Sequence, residues 1–503
     1  CFNLENLGKG TDDLTFEEIE KLSNHLPPMN GVLYSGGEPL IRPDIVEISN
    51  LFIQKNHFKG FIIPTNAVDM ENTLAKIEAI SNLNPTPEIV ACCGLDVFEE
   101  NLTRGDLQDL VGGILYSSRV RLGTYYDDCG VIGREYYRFS NSEPRFTGDL
   151  LGREDLILDN NTFYITGPWG ARYRTVKNAN LIIGFIEGQD LSAQFTNAEL
   201  SGTKGFLKTF IAYELLLNLN LTDDNGIRLD VEDENNLGPF VSKSTALTGI
   251  RSLLEEGATD LANGGAEFPY ILSSGFDGFD TPNSFLQVNK AISARVAAYQ
   301  EDYPAVLSFL DDSFLSLDGS TLNTGVFYNF SLNQTDIVNP LFQAIDGLSS
   351  ANARIVQPSF VTDAESEDNR LEKVVELDEP ISQDDLSGTY ALFRYESNIS
   401  DIPIIRNEEL ILLYAEANIN SNPGETVNAL NIIRSSAGLD PYTGPTDPAS
   451  LTDEMLTQRR YSLYAEGHRW IDMRRFGRLG ELPTDRAEDD VFSKFPIPLT
   501  ENQ

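Results

Sequence analysis

The feature that most restricts the fold is a pair of apolar stripes at helical spacing near the C-terminus. In each stripe apolar residues recur at three- and four-residue intervals, which places them on one face of an α-helix. Asn422-Pro423-Gly424 between the stripes cannot continue a helix, and Gly438 is placed to end the second one. Two amphipathic helices joined by a short turn form a helical hairpin, the unit of a tetratricopeptide-like array, so we expect a mainly α protein. The stripes are Leu410, Leu413, Tyr414 and Ala417, and then Ala429, Leu430, Ile433 and Ala437.

A third apolar stripe, which predicts another helix, runs through a cluster of arginines. We expect these arginines to form ion pairs with nearby carboxylates such as Glu454, Glu466 and Asp472 rather than to bind a ligand. His468 has no partner at metal-site spacing, so a structural role is expected for it. The stripe is Leu456, Leu463, Tyr464 and Gly467, and the arginines are Arg459, Arg460, Arg469, Arg474, Arg475 and Arg478.

The net charge of −40 over 503 residues argues against nucleic acid as a partner, because phosphates would be repelled. Apolar residues make up 41% of the chain, enough for a sizeable core, and its length predicts more than one domain. No run of eighteen apolar residues is present, so we expect no membrane-spanning segment. Residues 1–92 contribute only −7 of the net charge, so most of the acidic surplus lies beyond them.

Chemical motifs are scarce. Four cysteines do not make a disulfide framework in a chain of this length. The sequence has no zinc-binding His-Glu-x-x-His, no nucleophile elbow and no phosphate-binding loop. We therefore predict no catalysis, no metal site and no cofactor for the main body of the protein.

Residues 1–92 alternate predicted strands with predicted helices, which indicates a parallel sheet with a βαβαβ arrangement. The predicted helices cover residues 15–26, 43–54 and 70–80. The predicted strands cover residues 31–34, 60–63 and 88–91.

The turn Ser35-Gly36-Gly37-Glu38-Pro39 resembles the cofactor-binding turn of the radical S-adenosylmethionine superfamily, and Cys1 resembles the last cysteine of its iron–sulfur loop. The resemblance implies that Cys1, Gly36, Gly37 and Glu38 would hold the cofactor. A cluster of that kind needs three thiolates, and the first two cysteines of the loop are missing. Three strands also fall short of the eight or so that close a barrel. We expect residues 1–92 to be a non-functional or chimeric piece of such a domain, with a radical enzyme as the weaker alternative.

From about residue 95, within a predicted domain of residues 93–503, the order of segments resembles the SusD/RagB family, surface lipoproteins that hand nutrients to TonB-dependent transporters. No one segment decides the resemblance, which rests on their order over about four hundred residues. One matching helix carries Gly202 and Gly205 where family members usually have alanine, and these glycines are expected to weaken it by about 1 kcal/mol each. The segments are Leu102–Leu107, Gly133–Glu135, Trp169–Ile183, Gly202–Leu215, Val288–Ala297, Arg406–Ala417, Arg459–Trp470 and Phe495–Pro498.

Ile89-Val90-Ala91-Cys92 is shaped like the end of a lipoprotein signal, and it stands where the SusD-like segments begin. The long apolar segment that precedes such a motif is absent, because residues 82–88 are polar. Two readings stay open: a strand end, or a lipidation site at Cys92 or Cys93.

Helical periodicity fades between about residues 310 and 403, where Asn, Ser, Asp and Gly are frequent. Runs at 325–330 and 389–395 predict short strands inside this irregular insert. The resemblance to the SusD/RagB family implies that such inserts shape the ligand site. Residues 363–379 are rich in acid, which predicts a mobile loop.

The resemblance implies a binding protein that captures a glycan, with a peptide-binding protein of the RagB type as the alternative. A purely structural helical scaffold is a third possibility. Sugar sites combine aromatic faces with polar groups, and tyrosines cluster beside arginines in one early segment. We predict ligand contact there, with packing beneath a loop as the other interpretation. The candidates are Tyr125, Tyr126, Arg134, Tyr136 and Tyr137.

The implied partner is a SusC-like TonB-dependent transporter, with the protein held at the outer membrane, on the cell surface, by a lipid anchor alone. The implied ligand is an oligosaccharide or a peptide. The two tryptophans, Trp169 and Trp470, fall in segments that we expect to be structural.

Overall fold

The computed structural model describes residues 14–26, 31–33, 40, 42–57, 60–65, 70–81, 83, 88–93, 102–233, 236–333 and 336–502. The chain divides into two compact units, Cys1–Leu102 and Thr103–Gln503. No helix within the described ranges is long and apolar enough to cross a membrane.

In the described part of the first unit, helices and strands alternate as predicted. The strands pair in parallel in the order β1-β2-β3, with Gly31 opposite Gly60 and Gly60 opposite Glu88. Thr15 and Glu18 form a reciprocal capping box that starts the first helix. Apolar side chains such as Ile45, Phe61 and Ile80 fill a small core. The elements are α1 (Phe16–Ser23), β1 (Gly31–Leu33), α2 (Ile45–Asn56), β2 (Gly60–Thr65), α3 (Met70–Ser81) and β3 (Glu88–Cys93).

The second unit is mainly helical, as the apolar stripes predict. Consecutive helices pack against each other along the chain, so helical hairpins form its body. The longer helices are α4 (Arg104–Ser117), α5 (Leu122–Ile132), α6 (Phe163–Gly188), α7 (Asn197–Thr222), α8 (Lys243–Ala262), α9 (Pro282–Tyr299), α10 (Tyr303–Asp311), α12 (Asn407–Asn418), α13 (Pro423–Ser436), α14 (Pro448–Ser462) and α15 (Arg469–Arg475). A four-residue helix, α11, covers Ser359–Thr362.

Short antiparallel sheets interrupt the helices. Within the described residues the largest has the order β4-β8-β10-β9, and β11 pairs with β7. Tyr136 lies opposite Val356 in the first of these sheets, and Ile402 lies opposite Tyr328 in the second. The strands are β4 (Tyr136–Ser140), β5 (Ile227–Arg228), β6 (Phe240–Val241), β7 (Gly325–Tyr328), β8 (Asn352–Val356), β9 (Val374–Gln383), β10 (Leu386–Leu392) and β11 (Ile402–Arg406).

The residues of the two C-terminal stripes are buried except for Tyr414, which is half-buried. The core of the hairpin α12–α13 contains Ala429, Leu430 and Ile433 of the second stripe. From α12, however, Ile411, Leu412 and Ala415 enter this core instead of Leu410 and Leu413, and α14 packs on the same core. The third stripe departs from the prediction, because α14 ends at Ser462 and leaves Leu463 and Tyr464 beyond the helix. Both side chains are still buried. Ala465, in the left-handed backbone region at φ 59°, turns the chain there.

Gly205 has a packing role that helix propensity alone does not reveal. A Cβ at this position would lie 2.6 Å from Leu261 Cγ and 2.7 Å from the Gly257 carbonyl oxygen, both on α8. The glycine thus lets α7 and α8 approach closely. Its cost in helix propensity is offset by contact between the two helices.

Five of the six C-terminal arginines form ion pairs with described carboxylates, as expected; the exception is Arg469. Arg459 and Arg475 both contact Asp472, at 2.7 and 3.1 Å. Glu454 pairs with Arg434 at 2.7 Å, and Glu466 with Arg406 at 3.0 Å, so two of the three predicted acceptors take their cation from further away in the sequence.

Residues 363–379 are ordered by pairing, so the prediction of a mobile loop is wrong. Arg370 and Asp368 form a buried ion pair at 2.7 Å, and Glu365 pairs with Arg434 at 2.5 Å. Residues from Val374 onward pair with β10. Acid-rich composition did not produce disorder here because buried guanidinium groups balance two of the carboxylates.

Candidate functional site

All five predicted ligand contacts are buried within the second unit. Tyr136 donates its hydroxyl proton to the Tyr126 carbonyl at 3.0 Å, and the Tyr125 hydroxyl accepts from Asn220 Nδ2 at 3.1 Å. Tyr137 stacks on Phe139 at 5.8 Å between ring centroids. Their side chains are no more than 4% exposed and offer no open face in this conformation. Ligand contact by these residues therefore stays a prediction.

Arg134 donates hydrogen bonds to backbone carbonyls around it. Its guanidinium donates to the carbonyls of Asp490 at 2.7 Å, Pro483 at 3.1 Å and Val131 at 3.2 Å. Burial lowers its pKa to about 10, although the carboxylates of Asp489 and Asp485 act in the opposite direction. Arg134 thereby ties the segment after α5 to the C-terminal segment.

The Tyr136 hydroxyl lies 3.2 Å from Asp127, which belongs to a buried ion pair. The Arg354 guanidinium donates two hydrogen bonds to the Asp127 carboxylate, at 2.6 and 2.8 Å, and Arg138 lies 3.4 Å from the same carboxylate. Burial raises the pKa values of Tyr126 and Tyr136 well above their usual range, so both hydroxyls stay protonated donors. This cluster is built to hold β4, β8 and α5 together.

Glu135, the residue before β4, gives the stability of the second unit a pH dependence that can be measured. Burial raises the pKa of this carboxyl to about 8, although the Ala465 N–H donates to it at 3.0 Å. The folded state keeps a proton that the unfolded chain loses above its ordinary pKa of about 4.5, so stability falls as pH rises from about 4.5 to 8.

We expect Glu135→Gln to remove this slope, which amounts to at most about 1.4 kcal/mol per pH unit. Glutamine has the same shape and cannot ionise. Urea unfolding at pH 5, 6 and 7, followed by tryptophan fluorescence, measures the effect. Both tryptophans lie in the second unit, so the signal reports on that unit alone. Equal slopes for wild type and variant would contradict the prediction.

The predicted sites of the first unit fall mostly outside the described residues. Cys1, Gly36, Gly37 and Glu38 are all outside them. Cys92 and Cys93 end β3, where they pair with Pro64 and Thr65 of β2, and only their backbone is described. Among the described residues, no group of three or more His, Cys, Asp or Glu side chains is arranged to hold a metal ion.

An open groove with a volume of about 430 Å³ lies at one side of the second unit. Its walls come from α4, from the loop 271–276 and from the end of β7. By contrast, two voids inside the helical body hold about 10 Å³ each, room for roughly one water molecule. The residues that line the groove are Gln108, Gly112, Leu115, Arg119, Ile271, Leu272, Ser273, Phe276, Phe327, Tyr328, Asn329 and Asp336.

Side-chain amides fix the two walls. Gln108 on α4 donates to the Ile271 carbonyl at 3.0 Å and accepts from the Ile271 N–H at 2.8 Å. Asn329 Oδ1 accepts from the Ser273 hydroxyl at 2.9 Å and also from the Gly275 N–H. Asn329 Nδ2 donates to Asp401 at 2.9 Å. The loop 271–276 is therefore pinned from both sides, which pre-organises the groove.

Arg119 and Asp336 form the charged part of the groove. Arg119 Nη2 lies 2.8 Å from Asp336 Oδ1, and the Ser331 hydroxyl donates to Asp336 Oδ2 at 2.9 Å. Burial raises the pKa of Asp336, but hydrogen bonds from Arg119 and Ser331 outweigh it and hold the pKa below its usual range. Asp336 is thus ionised at neutral pH.

Exposed apolar side chains accompany these polar groups. Ile271 in the groove wall is 82% exposed, and Leu332 is 69% exposed in the loop that carries Asp336. The Tyr116 ring, 41% exposed, lies 5.8 Å from the Arg119 guanidinium. The groove thus combines apolar surface with fixed amide and hydroxyl groups, the composition of small-ligand sites.

The comparisons with known proteins decide the type of fold. Residues 393–499, which contain β11 and α12–α15, match the model of the SusD family. A SusD superfamily protein from Parabacteroides distasonis superposes with a TM-score of 0.59 at 16% identity, covering 80% of this chain and 98% of that one. The chain therefore has a SusD-like fold. No curated protein sequence matches it.

Other SusD-like structures agree with this result. One is surface glycan-binding protein A from Bacteroides thetaiotaomicron in complex with laminarihexaose, at a TM-score of 0.59 and 14% identity, with 80% of this chain and 97% of that one covered. Another is a laminarin binding SusD-like protein, at 0.57 and 15%, with the same coverage. The predicted resemblance to the SusD/RagB family and the mainly helical fold are both confirmed.

Proposed function

We propose that this SusD-like protein captures a carbohydrate at the cell surface and delivers it to a TonB-dependent transporter of the outer membrane. The observation that carries the proposal is the fold shared with two glycan-binding proteins, together with an open groove in the same unit. Fold alone does not give function, so the groove must supply the chemistry.

The groove has the groups that a sugar requires. Phe327 and Ile271 offer apolar surface against which a sugar ring can pack. Asn329 and Ser273 sit at the wall and can exchange hydrogen bonds with hydroxyls. Because hydrogen bonds already hold these side chains in place, little ordering cost accompanies binding.

Delivery and anchoring form the finer part of the proposal. A lipid on Cys92 or Cys93 would tether the second unit at its start, and the second unit would act as a lid on a SusC-like transporter. A lid opens and closes repeatedly, so its contact with the barrel should be polar and broad. The acidic surplus of this chain suits such a wet surface. In this role the protein binds its ligand without chemical conversion and without a cofactor.

Direct binding tests the ligand class. The full chain is titrated with laminarihexaose by calorimetry and applied to a glycan array and to a random peptide pool. We expect saturable binding to at least one glycan, and retention of peptides without glycan binding would favour the peptide-binding alternative. Colourless protein after anaerobic reconstitution with iron and sulfide would set aside the radical enzyme.

Co-purification tests the partner. Residues 93–503 are expressed behind a lipoprotein signal beside the neighbouring transporter gene, and the complex is purified by a tag on the transporter. Surface-exposed protein that never co-purifies would leave a free-standing binding protein as the better proposal.

A further inference from the structure

We propose that Asp336 makes the groove selective for uncharged ligands over anionic ones. Asp336 forms an ion pair with Arg119, the one cationic side chain among the described residues that line the groove. The inference rests on the proposed function, since it concerns the ligand of the same groove. Asp336 would be a specificity-determining residue, and its contribution would be to withhold Arg119 from carboxylate or sulfate groups.

Arg119 is held on all sides. Its Nε donates to the Leu115 carbonyl at 3.1 Å, its Nη1 to the Asn329 carbonyl at 2.5 Å, and its Nη2 faces Asp336 at 2.8 Å. The rings of Tyr116 and Phe330 each lie 5.8 Å from the guanidinium carbon. Each nitrogen therefore has a partner, and the guanidinium cannot turn toward a ligand without breaking these contacts.

The charges around the groove favour neutral ligands. Arg119 and Asp336 cancel, and Asp401 adds a second carboxylate through its hydrogen bond with Asn329. The whole chain carries −40 in addition. An anionic sugar would thus meet net negative charge in a partly desolvated groove, where opposing charges cost more than in bulk water. A neutral sugar meets amides and hydroxyls whose hydrogen bonds do not depend on that field.

Asp336→Asn isolates this effect. Asparagine keeps the shape, and its Oδ1 can still accept from Arg119 or Ser331. The substitution removes one negative charge and leaves Arg119 without its counter-ion. The net charge of the groove then rises by one unit, which favours binding of a carboxylate there.

The probes are laminarihexaose and the same hexaose with its primary alcohols oxidised to carboxylates. They share length and linkage and differ in charge. We expect Asp336→Asn to bind the oxidised hexaose about tenfold more tightly than wild type at low salt, with the gain shrinking as salt is added. Affinity for laminarihexaose should change much less than affinity for the oxidised hexaose, so the ratio of the two affinities is the quantity that the experiment compares.

Two further variants distinguish a charge effect inside the groove from the general effect of removing one negative charge from the protein. Asp363→Asn makes the same change at a carboxylate that pairs with Arg460 and does not line the groove, so it should give no comparable gain. Adding Arg119→Gln to Asp336→Asn should abolish the gain, because the freed cation is its source. Thermal unfolding followed by tryptophan fluorescence verifies that each variant is folded.

The outcomes are distinct. If wild type binds the oxidised hexaose as tightly as laminarihexaose, or if Asp336→Asn leaves the ratio of the two affinities unchanged, the selectivity role of Asp336 is wrong. An equal gain from Asp363→Asn would overturn it as well. If neither hexaose binds to wild type or to Asp336→Asn, and no glycan on the array binds, the proposed function itself fails and this inference falls with it.

Discussion

Replacing Glu409 by Gln is expected to lower the free energy of unfolding of the second unit by about 3–5 kcal/mol, the cost of leaving a buried charge unpaired. Glu409, in the first turn of α12, accepts from Arg295 Nε and Nη2, each at 2.6 Å. Arg295 lies on α9, and both side chains are at most 5% exposed. Glutamine can accept only one of these bonds and supplies no counter-charge, so the guanidinium stays buried without its partner.

Among the described residues around Glu409, none offers a replacement counter-charge for Arg295. The Arg295 guanidinium outweighs the effect of burial and holds the pKa of Glu409 below its usual range. His468 lies 3.8 Å away, and burial lowers its pKa to about 4, so it is neutral at pH 7. Arg295 Nη2 also donates to the Ile404 carbonyl at 2.8 Å, which satisfies a hydrogen bond but not the charge.

Urea unfolding followed by tryptophan fluorescence measures the loss, and Glu256→Gln is the control. Glu256 pairs with Lys208 at 3.1 Å, but its side chain is 61% exposed, so breaking that pair should cost less than about 1 kcal/mol. A Glu409→Gln variant as stable as Glu256→Gln would show that the Arg295–Glu409 pair adds no net stability.

The C-terminal helices could be predicted because their signal is local. Leu410 and Leu413 are one turn apart, so helical geometry alone places both on one face. The ion pairs show the limit of prediction from local sequence. The Arg459–Asp472 contact joins close neighbours in the sequence, whereas Asp127 and Arg354 come together only because β4 and β8 pair.

The tyrosines of the predicted ligand site show a second limit. Tyr136 and Tyr137 are consecutive in β4, so their side chains point to opposite faces of the sheet. A strand at the surface would leave one of them exposed. Both are buried here because β4 is covered on both faces, and the pattern of one strand cannot reveal what covers it.

The groove could not be predicted from the sequence for a related reason. Its walls come from α4, the loop 271–276 and the end of β7, which are far apart in the chain. Gln108 and Asn329 are ordinary polar residues in the sequence, and only tertiary contacts with Ile271 and Ser273 give them a place in the site. The paired glycines of α4 were a usable signal, because Gly112-Gly113 in a helix interior lowers helix stability.

Gly112→Leu is expected to weaken glycan binding at least about tenfold, a loss of ~1.4 kcal/mol or more, by filling the groove. Gly112 lines the groove, and a Cβ built on it meets no atom within 4 Å. A leucine side chain therefore extends into open space that the ligand would occupy. The fold should not suffer, because leucine in place of a helical glycine adds roughly 0.5–1 kcal/mol of helix stability.

Gly113→Leu is the matched control for this variant. Gly113 is the next residue on α4, is also exposed, and its Cβ also meets no atom within 4 Å, yet it does not line the groove. Both substitutions should stabilise α4 equally, so any difference in binding must come from the groove. Titration with the glycan that binds wild type most tightly, beside thermal unfolding of each variant, makes the comparison. If Gly112→Leu binds like Gly113→Leu, the ligand does not enter this groove, and the glycan site must be sought elsewhere on the protein.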